Sequence, residues 1–219
     1  MVAPASCENV FFIPGDFSMF KVAEDSSRKM EKINSDLFVL TYGAFVVQLL
    51  QDLQSFKKVN IELKNIGKQI GNRLVEDFFA RTTIPKCSTF EECMAVICEV
   101  AFKMFLNVGP KYKMVGELEA IISLTENPLA EYAVLPKSAS EYLRSSKIHS
   151  YEDVWYTAAD DEQLYYSNVI CGVIEGALEM VQVQVTADFI SDTLLGHAQT
   201  EIKIVLKKVL DDEMPLDDE

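Results

Sequence analysis

The sequence predicts an α+β domain, and three observations carry that prediction. Apolar residues recur at helical spacing in three consecutive long segments before any strand-like run appears. Four strand-like runs follow in two pairs, each pair joined by a short turn. A fourth helical segment separates the pairs, which segregates helices from hairpins instead of alternating them as βαβ units. With 219 residues, 49% hydrophobic and 25% charged, the chain has one domain's worth of core and is unlike a disordered or collagenous polypeptide.

Residues 1–28 read as a loose extension, because Ser, Pro, Gly and Asp interrupt every period. In the first predicted helix Ile33, Leu37, Leu40, Ala44 and Val47 form one stripe, widened by Phe38, Phe45, Val46, Leu49 and Leu50. A helix apolar on most sides is buried on more than one, so part of it is expected to meet another subunit. The stretch Leu37–Leu50 includes Thr41, Tyr42 and Gln48 and falls short of the roughly 20 apolar residues of a membrane span.

A second helix follows Lys57 and Lys58, with Leu63, Ile66, Ile70, Leu74 and Phe78 as its stripe and Pro85 as its stop. Gly67 and Gly71 share one face of it, which predicts close approach of another backbone or a ligand. A third opens on Ser88-Thr89-Phe90-Glu91, read as a capping box with Ser88 at the N-cap. It continues through Met94, Ile97, Cys98, Ala101, Met104 and Phe105 to a stop at Gly109-Pro110.

The first strand pair is read as Ala120–Leu124 and Tyr132–Leu135, turning at Asn127-Pro128. The fourth helix is read from Tyr166 to Val183, with Gly172 and Gly176 again four apart. The second pair, Thr186–Leu194 and Glu201–Leu210, turns at Gly196-His197-Ala198. Between them the pattern lapses from Lys137 to Gln163, which reads as an irregular insertion. The expected organisation is therefore a single domain over 29–136 and 164–210, the insertion at 137–163 and an acidic tail at 211–219.

Charge narrows the function classes. Acidic residues number 34 against 20 basic, a net charge of −14, which disfavours nucleic acid as a partner. Residues 57–86 run the other way, with seven basic side chains against three acidic ones, and suit an anionic membrane surface. No secretory leader is read in the first 30 residues, and the odd cysteine count (Cys7, Cys87, Cys93, Cys98, Cys171) predicts reduced thiols in the cytosol. Neither a Gly-x-Ser-x-Gly elbow nor a phosphate loop is present. His149 and His197 lack partners of the right type nearby in sequence, and Cys93 and Cys98 point apart on a helix, so neither an enzyme nor a metal site is expected. Cys87 stands out. It precedes the third helix, beside Lys86 and near Arg81, where the positive helix terminus favours a thiolate, and Phe78, Phe79, Ile84 and Phe90 flank it with apolar surface.

The segments Asn34–Ala44, Ile70–Arg81, Val100–Leu106 and Tyr166–Gln182 together resemble the palmitoylated core subunits of the transport protein particle, TRAPP. Asp192-Thr193-Leu194, Thr200–Lys203 and the acidic stretch around Pro215 extend the resemblance. It implies helices packed on a twisted antiparallel four-stranded sheet, with an internal hydrophobic channel for an acyl chain. It implies a non-enzymatic scaffold that pairs with sister subunits through the first two predicted helices. The complex would tether vesicles between endoplasmic reticulum and Golgi and support nucleotide exchange on a Rab GTPase. Such a subunit works at the cytoplasmic face of the cis-Golgi and endoplasmic reticulum as a peripheral membrane protein. Cys87 matches the cysteine that carries a covalent palmitate, and Asp211, Asp212, Glu213 and Pro215 match a tail that reaches the GTPase. Gly67, Ile70, Gly71 and Leu74 are the expected channel border. The alternative is a lipid-sensing module whose hydrophobic ligand exchanges.

Overall fold

A computed structural model describes residues 17–133 and 163–210. Within them five helices pack on one face of a four-stranded antiparallel sheet. The helices are α1 (Phe17–Lys29), α2 (Ser35–Leu53), α3 (Phe56–Arg81), a composite α4, and α5 (Asn168–Met180). In α4, Phe90–Ala95 and Phe102–Leu106 are α-helical, and Val96–Ala101 between them is a π-helical turn. The strands are β1 (Lys111–Met114), β2 (Glu119–Leu124), β3 (Val183–Ser191) and β4 (Thr200–Val209), in spatial order β1-β2-β4-β3.

Local chemistry sets most of the boundaries. The side chain of Asn34 caps α2 by accepting from the Leu37 amide, and Ser55 caps α3 by accepting from Lys58. Gln54 and Asn107 adopt the left-handed conformation that closes α2 and α4. In the sheet, Ala120 faces Ile204 and Ile122 faces Ile202 across the β2–β4 ladder. Alternate residues of β2, β3 and β4 thus present one apolar face to the helices, with the others turned outward.

Helix α5 lies between that face and α3, which explains why it is buried almost throughout. Gly67 and Gly71 of α3 meet Gly172 and Gly176 of α5 backbone to backbone. A Cβ on Gly67 would meet the Val169 carbonyl oxygen and lie 2.9 Å from the Gly172 Cα. Both glycine pairs of the sequence therefore serve one helix crossing. The buried Asn60 fastens its end: its amide donates to the Gln163 carbonyl (2.8 Å) and its side-chain oxygen accepts from the Tyr165 amide (2.9 Å).

Several expectations need correction. The loose extension over 1–28 is helical from Phe17, because Met19, Ala23 and Ser26 recur on one face and dock. The capping box lies one residue later than read: Thr89 is the N-cap and Glu92 its reciprocal partner, with Ser88 donating its amide to Glu92 (2.7 Å). The strand partner of β2 is upstream, at Lys111–Met114, while Tyr132 lies in a turn and Val134 and Leu135 fall outside the described residues. The run read as Thr186–Leu194 pairs instead from Val183 to Ser191 and then turns through a short 3-10 segment at Thr193–Leu195. The insertion at 137–163, apart from Gln163, and the tail at 211–219 lie outside the described residues.

Candidate functional site: Cys87 and the exposed face of helix 2

Two features outside ordinary core packing mark the molecule. The first is Cys87. The residue lies two positions before the N-cap of α4, in the segment that returns from the end of α3. It is half-buried and packs against two separate apolar clusters. The larger cluster is the core between the helices and the sheet. The smaller comprises Met19 and Ala23 of α1, Phe78 of α3, Ile84, and Ala95, Val96, Val100 and Met104 of α4. The sulfur thus sits at the seam between them instead of in open solvent.

The electrostatics of that thiol differ from what the sequence predicts. Its pKa is lowered, chiefly by a hydrogen bond from the thiol of Cys93, against burial and the Glu92 carboxylate, which both act to raise it. The Cys93 thiol is pushed far up by the same bond and by burial, so Cys93 keeps its proton and donates it. The cations expected to do this work are engaged elsewhere: Lys86 bonds the Gln182 side chain, and Arg81 pairs with Asp77 at 2.7 Å. Cys98 and Cys171 are buried thiols with raised pKa values, the former by burial and then by Glu99. Among the described cysteines Cys87 is the one whose pKa is lowered, which makes it the more nucleophilic thiol. A thiolate at an apolar seam can attack an activated acyl group and place its chain out of water.

The second feature is α2. Val39, Val46 and Leu50 hold it to the core, and Tyr42 donates to the Tyr166 carbonyl with the two rings edge to face at 5.1 Å. The stripe read from the sequence is on the other side: Leu37 is 64% exposed, Leu40 60% and Val47 43%, with Phe38 and Phe45 beside them. By length and composition alone α2 is apolar enough to cross a membrane. Its inner face is nonetheless packed on a folded domain, and its outer face is an apolar patch of the kind that marks an association surface.

The remaining expected site residues do not converge. Gly67 and Gly71 lie against the backbone of α5, while Ile70 is 41% exposed on α3. Leu74 is half-buried on the same helix, outside both clusters that touch Cys87. Asp211, Asp212, Glu213 and Pro215 fall outside the described residues. Among the described residues there is no group of three side chains suited to a metal ion. His197 accepts the Asp192 backbone amide at Nδ1 (3.1 Å) within the β3–β4 connection, and His149 is not among the described residues.

Sequence reasoning missed a buried ionic knot. Glu175 of α5 is 4% exposed, bonds Lys64 (2.8 Å) and Lys68 (2.9 Å) of α3, and accepts the Ala187 amide of β3 (2.8 Å). Lys64 also reaches Asp188 (2.8 Å), and its pKa is raised: desolvation lowers it, but the bonds to Asp188 and Glu175 outweigh that. One acid in the apolar run Gly172–Leu178 was the available signal, since a charge there survives burial only with partners.

Comparison with known proteins shows the family. The family model for transport protein particle (TRAPP) components matches residues 38–205. The transport protein particle subunit bet3 of Schizosaccharomyces pombe is 41% identical over 204 residues, covering 92% of this chain and all of that one. The trafficking protein particle complex subunit BET3 of Saccharomyces cerevisiae is 42% identical over 191 residues, covering 86% and 88%. Among solved structures, trafficking protein particle complex subunit 3 from Naegleria fowleri, covalently bound to palmitic acid, superposes with a TM-score of 0.69 at 34% identity, covering 83% of this chain and 100% of that one. With that match spanning most of the described domain, the chain belongs to the TRAPP component family.

Proposed function

We propose that this chain is a non-enzymatic scaffold subunit of a TRAPP complex, acylated at Cys87 and joined to sister subunits through the exposed face of α2. The observation that carries the reading is the placement of a thiol with lowered pKa at the seam of two apolar clusters. Acylation there is a thioester exchange. The Cys87 thiolate attacks the carbonyl of a long-chain acyl thioester, the new C–S bond forms as the old one breaks, and the donor leaves as a thiolate that takes a proton from solvent. Each methylene withdrawn from water contributes about 0.8 kcal/mol, so a sixteen-carbon chain contributes on the order of 10 kcal/mol. A chain so placed acts as part of the core and not as a membrane anchor.

The wider role is that of the family: tethering ER-to-Golgi vesicles and supporting nucleotide exchange on a Rab GTPase, with the tail Asp211–Glu213 and Pro215 as the GTPase contact. The working location is the cytoplasmic face of the cis-Golgi and endoplasmic reticulum, as a peripheral protein. Intact mass of the natively purified chain before and after neutral hydroxylamine tests the acyl reading. One palmitoyl increment on Cys87, lost on treatment, is expected. A chain that carries no increment but releases a free fatty acid on denaturation would instead be the exchangeable lipid sensor. For the scaffold role, nucleotide release from the GTPase should stay at background with this chain alone and rise when sister subunits are added.

A further inference from the structure

Helix α1 precedes the residues matched by the family model, which begin at 38, yet it is docked. Met19 and Ala23 are sealed on the smaller cluster, over Phe78, Val96, Val100 and Met104, with Cys87 at its rim. The π-helical turn of α4 lies beneath it, and such turns in an α-helix frequently accompany functional sites. The attachment is mostly apolar packing. Among the described residues the hydrogen bond from α1 to the rest is Ser26 Oγ to the Arg81 carbonyl, at 3.3 Å, and its ion pair, Arg28 to Glu24, is internal and exposed. The larger cluster beside Cys87 is closed by the sheet and by the glycine crossing of α3 and α5. Of the two apolar clusters that Cys87 borders, the smaller one has a wall, α1, that belongs to no strand ladder and lies outside the glycine crossing of α3 and α5.

We infer that α1 is a removable outer wall of the acyl site, which lifts to admit a long-chain acyl group onto Cys87 and then docks again over the chain. This rests on the acylation reading above. Local opening of a helix held by side-chain packing, outside the sheet and outside the α3–α5 crossing, costs less than global unfolding, which makes such a movement accessible in the native state. Met19 and Ala23 are then the residues that shield the thioester from water.

The test uses the full chain. In Ala23→Glu a carboxylate is forced into the α1 contact, away from the α3–α5 crossing. Protein stripped with hydroxylamine should accept a palmitoyl group from palmitoyl-coenzyme A about tenfold faster than wild type, and should lose it to fresh hydroxylamine about tenfold faster. Palmitoyl present with both rates unchanged overturns the wall while leaving acylation intact. A wild-type chain that neither carries nor accepts palmitoyl removes the acylation reading and the wall with it. Hydrogen exchange on wild type alone supplies the check that needs no variant. Amides of α1 should exchange through a local opening well below the free energy that protects α5, and equal protection of α1 and α5 overturns the proposal.

Discussion

A hydrogen bond from Cys93 lowers the pKa of Cys87, and the sequence points elsewhere for the cause. Lys86, Arg81 and the helix terminus are the visible candidates, but the two cations are spent on Gln182 and Asp77. Cys93→Ala should move the pH midpoint of Cys87 alkylation upward, and Cys93→Ser, which keeps a donor, should bring it back; equal midpoints in all three proteins would dismiss the hydrogen bond. Glu175 carries a different kind of weight. Removing its charge with Glu175→Ala leaves the half-buried Lys64 without one of its two partners, and should cost about 3 kcal/mol in urea unfolding, the low end for a broken buried pair because Lys68 can turn to water. Asp192 behaves in the opposite sense. It is fully buried, its Oδ1 accepts the Leu194 amide (3.0 Å), and its Oδ2 has no partner. Burial raises its pKa against the pull of Leu194, Thr200 and His197. A carboxyl whose folded pKa is raised stabilises the fold most below its unfolded pKa of about 3.9 and loses that contribution as pH rises through the folded value. The melting temperature of Asp192→Asn relative to wild type should therefore climb from acid to neutral pH, and a flat difference would exclude the effect.

Elements show where periodicity suffices and where it misleads. The stripe of α2 was legible, but a helix apolar on most sides offers no internal sign of which side faces its own core. Val39, Val46 and Leu50 face inward on the side where Tyr42 meets Tyr166, a residue 124 positions away in the chain. Helix α4 was legible as one apolar run, whereas its π turn and the one-residue shift of its capping box were not, because Ser88 and Thr89 are both good caps and each is followed three residues later by a glutamate. Strand β1 was missed since Lys111–Met114 alternates lysines with Tyr112 and Met114 over only four residues. The glycines give the element-scale prediction. Gly172→Ala adds a methyl where the Lys64 carbonyl and the Gly67 Cα already sit. Alanine gains about 1 kcal/mol as a helix former but pushes two backbones apart, and a net loss of about 2 kcal/mol is expected by urea denaturation. A variant as stable as wild type would mean that α3 and α5 can separate freely.

At the scale of the molecule, one side of the helical layer is closed by the sheet and α5, and another, the outer face of α2, is left apolar and open. Replacing Leu37 and Leu40 together with glutamate should leave the melting temperature of the isolated chain nearly unchanged, because neither side chain is packed within it. The same variant should fail to co-elute with sister subunits in size-exclusion chromatography with light scattering; retained co-elution would place the partner elsewhere. The α+β class, four of the five described helices, three of the four described strands and the distinct position of Cys87 were legible in the residues, because apolar period, caps and turn residues act over a few positions and can be read locally. Only the folded chain settles which face of α2 is inside, that the paired glycines join α3 to α5, and that α1 covers the smaller apolar cluster beside Cys87. Each of these depends on which distant segments meet, and packing between them is settled by the shape and polarity of both partners at once.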